Sequence, residues 1–405
     1  MTGASEGEKP KVLIFLNRLV IGGPAIDVIS MAGFLQNDFE VLVVYGERES
    51  HEVEATFLLH QYPNLPTTKM KLLKKSINPI DLFKSITSLF SILREFKPDI
   101  IHTHGALPGV LGRIAAKMCK TKVVVHTFHG HFFHSYFNRF FSSGIIFIER
   151  MLSLISDSII ATSNRQMKDL VYKYHVVDLE KVTIIDLGID EKFLATKTEK
   201  REDSFSEKYK IPSDTIAIGI IARIVRVKNF FLFVEIVEKV LEKASHKVIF
   251  YVIGDGYQKQ EVQEALTAKG IKWSNNDTEK DASVIFTSWI PDVGEALSVL
   301  DIVILTSNNE GTGLSLAEGK YCGKPVVATN VGGVSDTLID GETGFLVEPN
   351  NANQFAQKLN LLIEDEQLRK KMGKAAEIFA KKKFSKINEI DKLKSLYKDL
   401  LKVKK

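Results

Sequence analysis

Apolar residues fall in short runs separated by amphipathic stretches, and that alternation is the first structural signal. Lys11 to Asn17 (KVLIFLN) is a short apolar run ended by the turn Ile21-Gly22-Gly23-Pro24, and Ala25 to Leu35 then repeats apolar residues at helical spacing. The reading is strand, glycine-rich turn, helix. It recurs as strands at Glu40 to Tyr45, Asp99 to Thr103, Lys122 to Phe128, Ser158 to Thr162 and Val182 to Ile185, with helices at Pro79 to Phe96 and Pro108 to Lys117. Strands alternating with helices imply crossover connections, and hence a mostly parallel sheet covered on both faces.

Between Asp190 and Pro212 the chain turns polar without a sustained apolar period, which predicts a linker. A second alternation follows. Strands are expected at Ile216 to Ile221, Lys247 to Ile253, Val284 to Thr287, Ile302 to Thr306, Pro325 to Ala328 and Gly344 to Val347, with helices at Asn229 to Glu242, Gln258 to Lys269 and Leu314 to Cys322. After about Asn353 the pattern is helical to the end, and Lys381-Lys382-Lys383 with the final KVKK reads as a solvated helix face, the alternative being a basic membrane-facing patch. The fold class is therefore α/β, with two doubly wound domains.

Composition narrows the class further. The 405 residues are 44% hydrophobic and 26% charged, an ordinary globular balance that excludes a disordered or collagen-like chain. A net charge of +4 does not mark a nucleic-acid binder. Cys119 and Cys322 are the only cysteines, so no disulfide framework or thiolate zinc site is expected. The N-terminus MTGASEGEKP does not read as a secretory signal. Ile145 to Ala161, the most apolar stretch, is interrupted by Glu149, Arg150 and Asp157, too short and too charged to span a bilayer. The expected location is cytoplasmic.

The densest chemical signal is Ser307 to Pro349. Gly311-Thr312-Gly313 enters the helix that begins at Leu314, and a glycine-rich turn into a helix presents unpaired N–H groups and a positive dipole end to a diphosphate. Glu310 stands just before that turn and Glu318 about two turns along the helix, placed for sugar and ribose hydroxyls if a nucleotide runs beside the helix; the alternative is an ordinary α/β loop and helix with two exposed glutamates. Arg223 and Lys228 follow a strand, where ligands of open α/β sheets bind, and would put two cations on a pyrophosphate; Arg226 competes for that role. Gly254-Asp255-Gly256 closes the next strand as a tight turn lining the same crevice. Six of the ten histidines lie between His102 and His134. Without a His-Glu-x-x-His helix or a thiolate pair nearby, they read as strand-end groups facing a cleft, some only structural, rather than as a zinc centre. Gly22-Gly23 lacks the third glycine of a dinucleotide fingerprint, so close backbone approach to a phosphate or sugar is the better expectation.

Taken in order, Gly22-Gly23, Asp99-Ile-Ile-His-Thr-His104, Thr127-Phe-His-Gly130, Arg223 with Lys228, Gly254-Asp-Gly256 and Glu310 with Glu318, ending in Asp340-Gly-Glu-Thr-Gly344, the chain resembles retaining GT-B glycosyltransferases of family 4. The resemblance implies two Rossmann-like domains facing across a cleft. Residues 1–205 would bind the acceptor, residues 206–385 the nucleotide-sugar donor, and residues 386–405 would form a helix packing back on the first domain. It also implies a diphosphate clamp at Arg223 and Lys228, a helix-end cradle at Gly311, Thr312, Gly313 and Leu314, a ribose contact at Glu318, and donor-sugar contacts at Glu310 and His129. Trp289, in Thr-Ser-Trp-Ile-Pro, falls where the family contacts the base. The family's Gly-Gly-x-Glu turn is Gly-Gly-Pro-Ala here, so Ala25 leaves any role of that acid without a bearer.

The function implied is metal-independent transfer of a sugar from a nucleoside diphosphate, with UDP preferred, to an acceptor hydroxyl. The expected acceptor is a lipid-linked glycan of surface polysaccharide assembly. The alternatives are a non-hydrolysing nucleotide-sugar epimerase and a catalytically idle nucleotide-sugar-binding protein. No cofactor and no nucleic-acid partner are expected. Lys69, Lys71, Lys74 and Lys75 interleaved with Met70, Leu72 and Leu73, and the aromatic stretch Phe128 to Phe147, raise a peripheral membrane contact against the alternative of a solvated loop and a core helix.

Overall fold

The computed structural model describes residues 8–49, 52–71, 73, 79–130, 139–194, 205, 209, 211, 214–276, 281–290 and 293–404. They build two seven-stranded sheets in which every recorded strand pairing is parallel. The first contains β1 (Lys11–Arg18), β2 (Glu40–Gly46), β3 (Thr67–Met70), β4 (Ile100–His104), β5 (Val123–Phe128), β6 (Ser158–Ala161) and β7 (Val182–Ile184), ordered β3-β2-β1-β4-β5-β6-β7. The second contains β8 (Thr215–Ile221), β9 (Lys247–Ile253), β10 (Trp273–Asn275), β11 (Val284–Ser288), β12 (Ile302–Leu305), β13 (Val326–Thr329) and β14 (Gly344–Val347), ordered β10-β11-β9-β8-β12-β13-β14. The chain order reverses between β1 and β4 and between β8 and β12, which places a crevice beyond the carboxyl ends of each pair.

Alternate residues of β1 serve opposite faces. Val12, Ile14 and Leu16 join the helix Gly23–Leu35 through Val28, Ile29 and Ala32, while Leu13 and Phe15 pack with Leu89 and Leu93 of the helix Pro79–Phe96. The second layer has one continuous core around Phe233, Phe250, Phe286 and Ile304.

The tail is three helices rather than one: Ala352–Glu364, Glu366–Lys383 and Lys386–Val403. Asp365 and Ser385 divide it, each accepting an N–H at the start of the next helix. The final helix lies on the first layer through Ile390, Leu393 and Tyr397. It arrives beside the strand-like segment at Ile189, whose N–H donates to Phe384 O at 2.8 Å, so the chain crosses between the layers twice at one place. A Cβ on Gly188 would stand 2.4 Å from Lys386 Cα, so the crossing requires glycine there.

Two expectations change. Phe205 and Tyr209, inside the stretch read as a polar linker, are buried against Tyr251 of the second core. Among the lysines read as a membrane contact, Lys69 lies on edge strand β3 and bridges Glu54 at 2.7 Å, and Met70 and Leu73 are buried in the first core. Leu72, Lys74 and Lys75 fall outside the described residues. In the basic triplet of the tail, Lys381 pairs with Glu377 and Lys383 with Asp186, on the segment leading to the crossing.

Candidate active site

The second layer brings two loops together at its switch point. After β8 the chain passes Arg223, makes one 3-10 turn at Arg226–Lys228, and enters the helix Phe230–Leu241 through Asn229, whose side chain accepts the Leu232 N–H. After β12 it passes Ser307 and Glu310. The Lys228 ammonium and the Ser307 hydroxyl both donate to Glu310 Oε1, the hydroxyl at 2.6 Å, and Thr306 Oγ1 donates to Lys228 O at 2.9 Å. Lys228 and Glu310 are thus one unit. Arg223 and Arg226 extend their side chains into solvent beside it. A Cβ on Gly254 would meet Ala222 O and, at 3.5 Å, Trp289 Cη2, so the Gly254-Asp255-Gly256 turn, the Arg223 loop and the half-buried Trp289 form one wall.

Glu310 leads into Gly311-Thr312-Gly313 and the helix Leu314–Tyr321. Gly313 has φ of 69°, and the helix has no side-chain cap. Thr312 Oγ1 is buried without a partner among the described residues. An uncapped helix start with an unsatisfied hydroxyl beside it is suited to an anion.

The two layers meet backbone to backbone at this turn. A Cβ on Gly311 would lie 2.3 Å from His129 O, and one on Gly333 would lie 2.7 Å from Ser163 Oγ. The Arg165 N–H donates to Asp336 Oδ2 at 2.8 Å, and Gly23 approaches Leu314. Gly332-Gly333, against Glu310 and Gly311, was not singled out from the sequence, although a glycine pair just after β13 is the same kind of signal as Gly22-Gly23.

Glu318 is buried in the second turn of its helix, in a small cavity shared with Ile26, Asp27, Ser30, Asp190 and Leu314. Burial pushes its carboxyl up to about 8. It faces the first layer, apart from the Lys228 and Glu310 unit.

The histidines occupy the ends of β4 and β5. His102 is clamped between Tyr397 OH at 2.6 Å and Thr127 Oγ1 at 2.7 Å, and His126 meets Thr103 Oγ1 at 2.8 Å, so both are structural. His104 Nδ1 lies 2.8 Å from His129 Nε2. Burial pushes all four imidazoles down, His102 to about 3. His131 and His134 lie outside the described residues. Among the described residues no three His, Cys, Asp or Glu side chains converge as a metal site.

Behind the histidines lies a cluster that the sequence reading missed. Lys386 donates to Asp27 Oδ1 and to Glu389 Oε2, both at 2.8 Å, and the Gly188 N–H donates to Glu389 Oε2 at 2.6 Å. The available signals were a carboxylate inside the apolar face of the first helix, two residues past Ala25, and a Lys and Glu three apart opening the final helix.

Two parallel sheets facing across this contact define a GT-B architecture. The first layer matches the family model "Glycosyltransferase Family 4" over residues 21–193, and the second matches "Glycosyl transferases group 1" over residues 201–379. The chain belongs to the GT-B glycosyltransferases of this family 4 and group 1 kind. It is 27% identical over 332 residues to the UDP-Gal:alpha-D-GlcNAc-diphosphoundecaprenol alpha-1,3-galactosyltransferase of Escherichia coli, covering 81% of this chain and 82% of that one. It is 23% identical over 335 residues to the capsular polysaccharide biosynthesis glycosyltransferase CapM of Staphylococcus aureus, covering 82% and 84%. Among solved structures, Anabaena HepE in complex with UDP and glucose superposes with a TM-score of 0.78 at 19% identity, covering 96% of this chain and 100% of that one.

Proposed function

We propose that the protein transfers a sugar from a nucleoside diphosphate, preferably UDP, to a hydroxyl of a lipid-linked glycan, with retention of configuration and without a metal ion. The observation that carries this is the Lys228–Ser307–Glu310 unit set beside the uncapped Gly311-Thr312-Gly313 helix start and against the His129 backbone. The helix start and the Thr312 hydroxyl would take the diphosphate, with Arg223 and Lys228 supplying the charge a metal would otherwise bring. Glu310 and His129 would hold the sugar hydroxyls, Glu318 the ribose and Trp289 the base. Gly22 and Gly23 would let the first layer approach the donor closely. The route taken with this reading is same-face transfer, in which the leaving phosphate takes the acceptor proton.

UDP is favoured by the names of relatives: the Escherichia coli transferase uses UDP-Gal, and the HepE complex holds UDP. A lipid-linked acceptor is favoured by that transferase and by an apolar surface. Phe147, Ile148, Met151 and Leu154 of the helix Arg139–Leu154 are exposed, beside Ile114 and Met118 of the helix Ala106–Met118. Exposed Lys117 and Arg150 accompany them, and Glu149 turns inward to Arg113. No helix of the described residues is long and apolar enough to cross a membrane. Contact would therefore be peripheral, on the face of the membrane where the donor is found.

The test is a product screen with UDP-, GDP- and ADP-sugars in chelator, with and without a lipid-diphosphate acceptor. Acceptor-dependent release of UDP is expected, and Glu310→Gln or Lys228→Ala should lower it about 100- to 1,000-fold with folding intact. Conversion of donor without acceptor would instead identify an epimerase, and binding without turnover an idle protein.

A further inference from the structure

β11 ends on Ser288 with a φ of 56°, in the left-handed region that side chains other than asparagine, aspartate and histidine rarely adopt. Lys97 and Lys120 adopt it too, but each closes a helix, where a left-handed residue is an ordinary ending. Ser288 closes a strand, and the next residue is Trp289. The turn sets the chain antiparallel to Gly254: the Gly254 N–H donates to Ser288 O at 3.0 Å, and Thr287 Oγ1 donates to the same oxygen at 2.9 Å. Trp289 is thereby laid on Gly254, where an added Cβ would stand 3.5 Å from Trp289 Cη2.

The Ser288 hydroxyl is used twice, donating to Asp255 Oδ2 at 3.0 Å and accepting from the Lys259 ammonium at 3.3 Å. Asp255 is held in turn. Its Oδ1 accepts the Gly256 N–H at 2.8 Å, Lys259 stands 3.5 Å from its Oδ2, and its backbone O accepts the N–H of Ile224, the residue after Arg223, at 2.9 Å. One residue therefore ties the strand end that carries Trp289 to the loop that carries Arg223. A sparsely populated backbone conformation persists only where its surroundings over-determine it. Here the bond to Asp255 adds a second hold to the carbonyl bonds from Gly254 and Thr287.

We propose that Ser288 and Asp255 are positioning residues for donor recognition: the hydroxyl-to-carboxylate bond holds the left-handed turn that sets the Trp289 ring against Gly254, beside the Arg223 loop, as a ready-made face for the nucleobase. The proposal rests on the reading that Trp289 meets the base. It accounts for serine where glycine would form the turn without strain, because glycine would leave the turn unpinned. A ring released from its pose is competent only part of the time, and the apparent affinity for the nucleotide falls by that fraction.

The test measures nucleotide binding to the full chain by calorimetry and by fluorescence, using the tightest binder among UDP, GDP and ADP. Trp273→Phe leaves Trp289 as the one tryptophan of the chain, and its emission should change on binding. Ser288→Gly keeps the turn and removes the hydroxyl, and should raise the nucleotide Kd and the donor KM about 5- to 20-fold with kcat within about twofold. Ser288→Asn tolerates the left-handed turn and returns a donor toward Asp255, so it should recover most of the affinity. Asp255→Ala should weaken binding as Ser288→Gly does, and the double substitution should add nothing further. Unchanged binding by Ser288→Gly, or fully additive losses, overturns the positioning role while leaving Trp289 at the base. Unchanged binding by Trp289→Ala, with no emission change on binding, overturns the base reading itself.

Discussion

The junction of the first and last helices and the short helix Leu314–Tyr321 both bury chargeable side chains, and they do so in opposite ways. At the junction, Asp27, Lys386 and Glu389 pair with one another. On the short helix, neither Glu318 nor Lys320 has an ion-pair partner among the described residues. The Lys320 ammonium lies 5.2 and 5.1 Å from the rings of Phe379 and Phe384, and burial pushes it down to about 7 while Glu318 rises to about 8. Pairing keeps charge and makes each partner depend on the others. Isolation discharges the group and leaves it titrating near neutrality.

The comparison is tested most severely by matched substitutions. Lys386→Met strands two carboxyl groups in the interior, and removing one partner of a buried ion pair should cost about 3–5 kcal/mol in urea unfolding. Lys320→Met removes a burdened ammonium from an aromatic pocket, so the same measurement should show no loss, or a gain of about 1–2 kcal/mol. Equal losses in both proteins would end the distinction.

The next effect is one of pH. The Glu318 carboxyl titrates near 8 when folded and near the ordinary glutamate value of 4.5 when unfolded, so the folded chain retains the proton more tightly. Its contribution is complete below about pH 4.5 and is lost as pH rises toward 8, by about 1.4 kcal/mol per unit within that window. The histidines move the other way: their folded values are depressed, so the stability tied to their neutral forms is lost as pH falls below about 6.5. Comparing the native protein with Glu318→Gln at each pH subtracts the histidine slope. The native advantage should shrink steadily from pH 4.5 to 8, and a flat difference would mean that Glu318 is already ionised in the fold.

These two regions were also unequally legible in the sequence. Apolar periodicity reached the helix Pro79–Phe96, β9 and β14 because each carries its own pattern. Edge strands β3 (TTKM) and β10 (WSN) were missed because they are both short and polar, whereas the equally short edge strands β7 (VTI) and β14 (GFLV) carry apolar runs. Glu310 and Lys228 were readable as candidates because each follows a strand end beside a turn. Asp27 and Lys386 were not, because they meet across a separation of 359 residues and neither is a motif by itself. Discharge of Glu318 was equally hidden, since it comes from the first layer closing over it.

The smallest expected effect concerns Lys69, which separates packing from membrane contact. Its bridge to Glu54 is exposed on edge strand β3, where such a pair contributes at most about 0.5 kcal/mol. The apolar residues Met70 and Leu73, read with it as a membrane-facing set, are buried in the core. Lys69→Glu should therefore leave unfolding within that range and transfer to a lipid-diphosphate acceptor within about twofold, because one exposed charge remote from the apolar face changes little. Met151→Asp combined with Leu154→Asp places charge on the exposed face of the helix Arg139–Leu154 and should release the protein from anionic vesicles, without changing transfer to a soluble acceptor. If Lys69→Glu released the protein and the double substitution did not, the membrane contact would belong to the β3 edge after all.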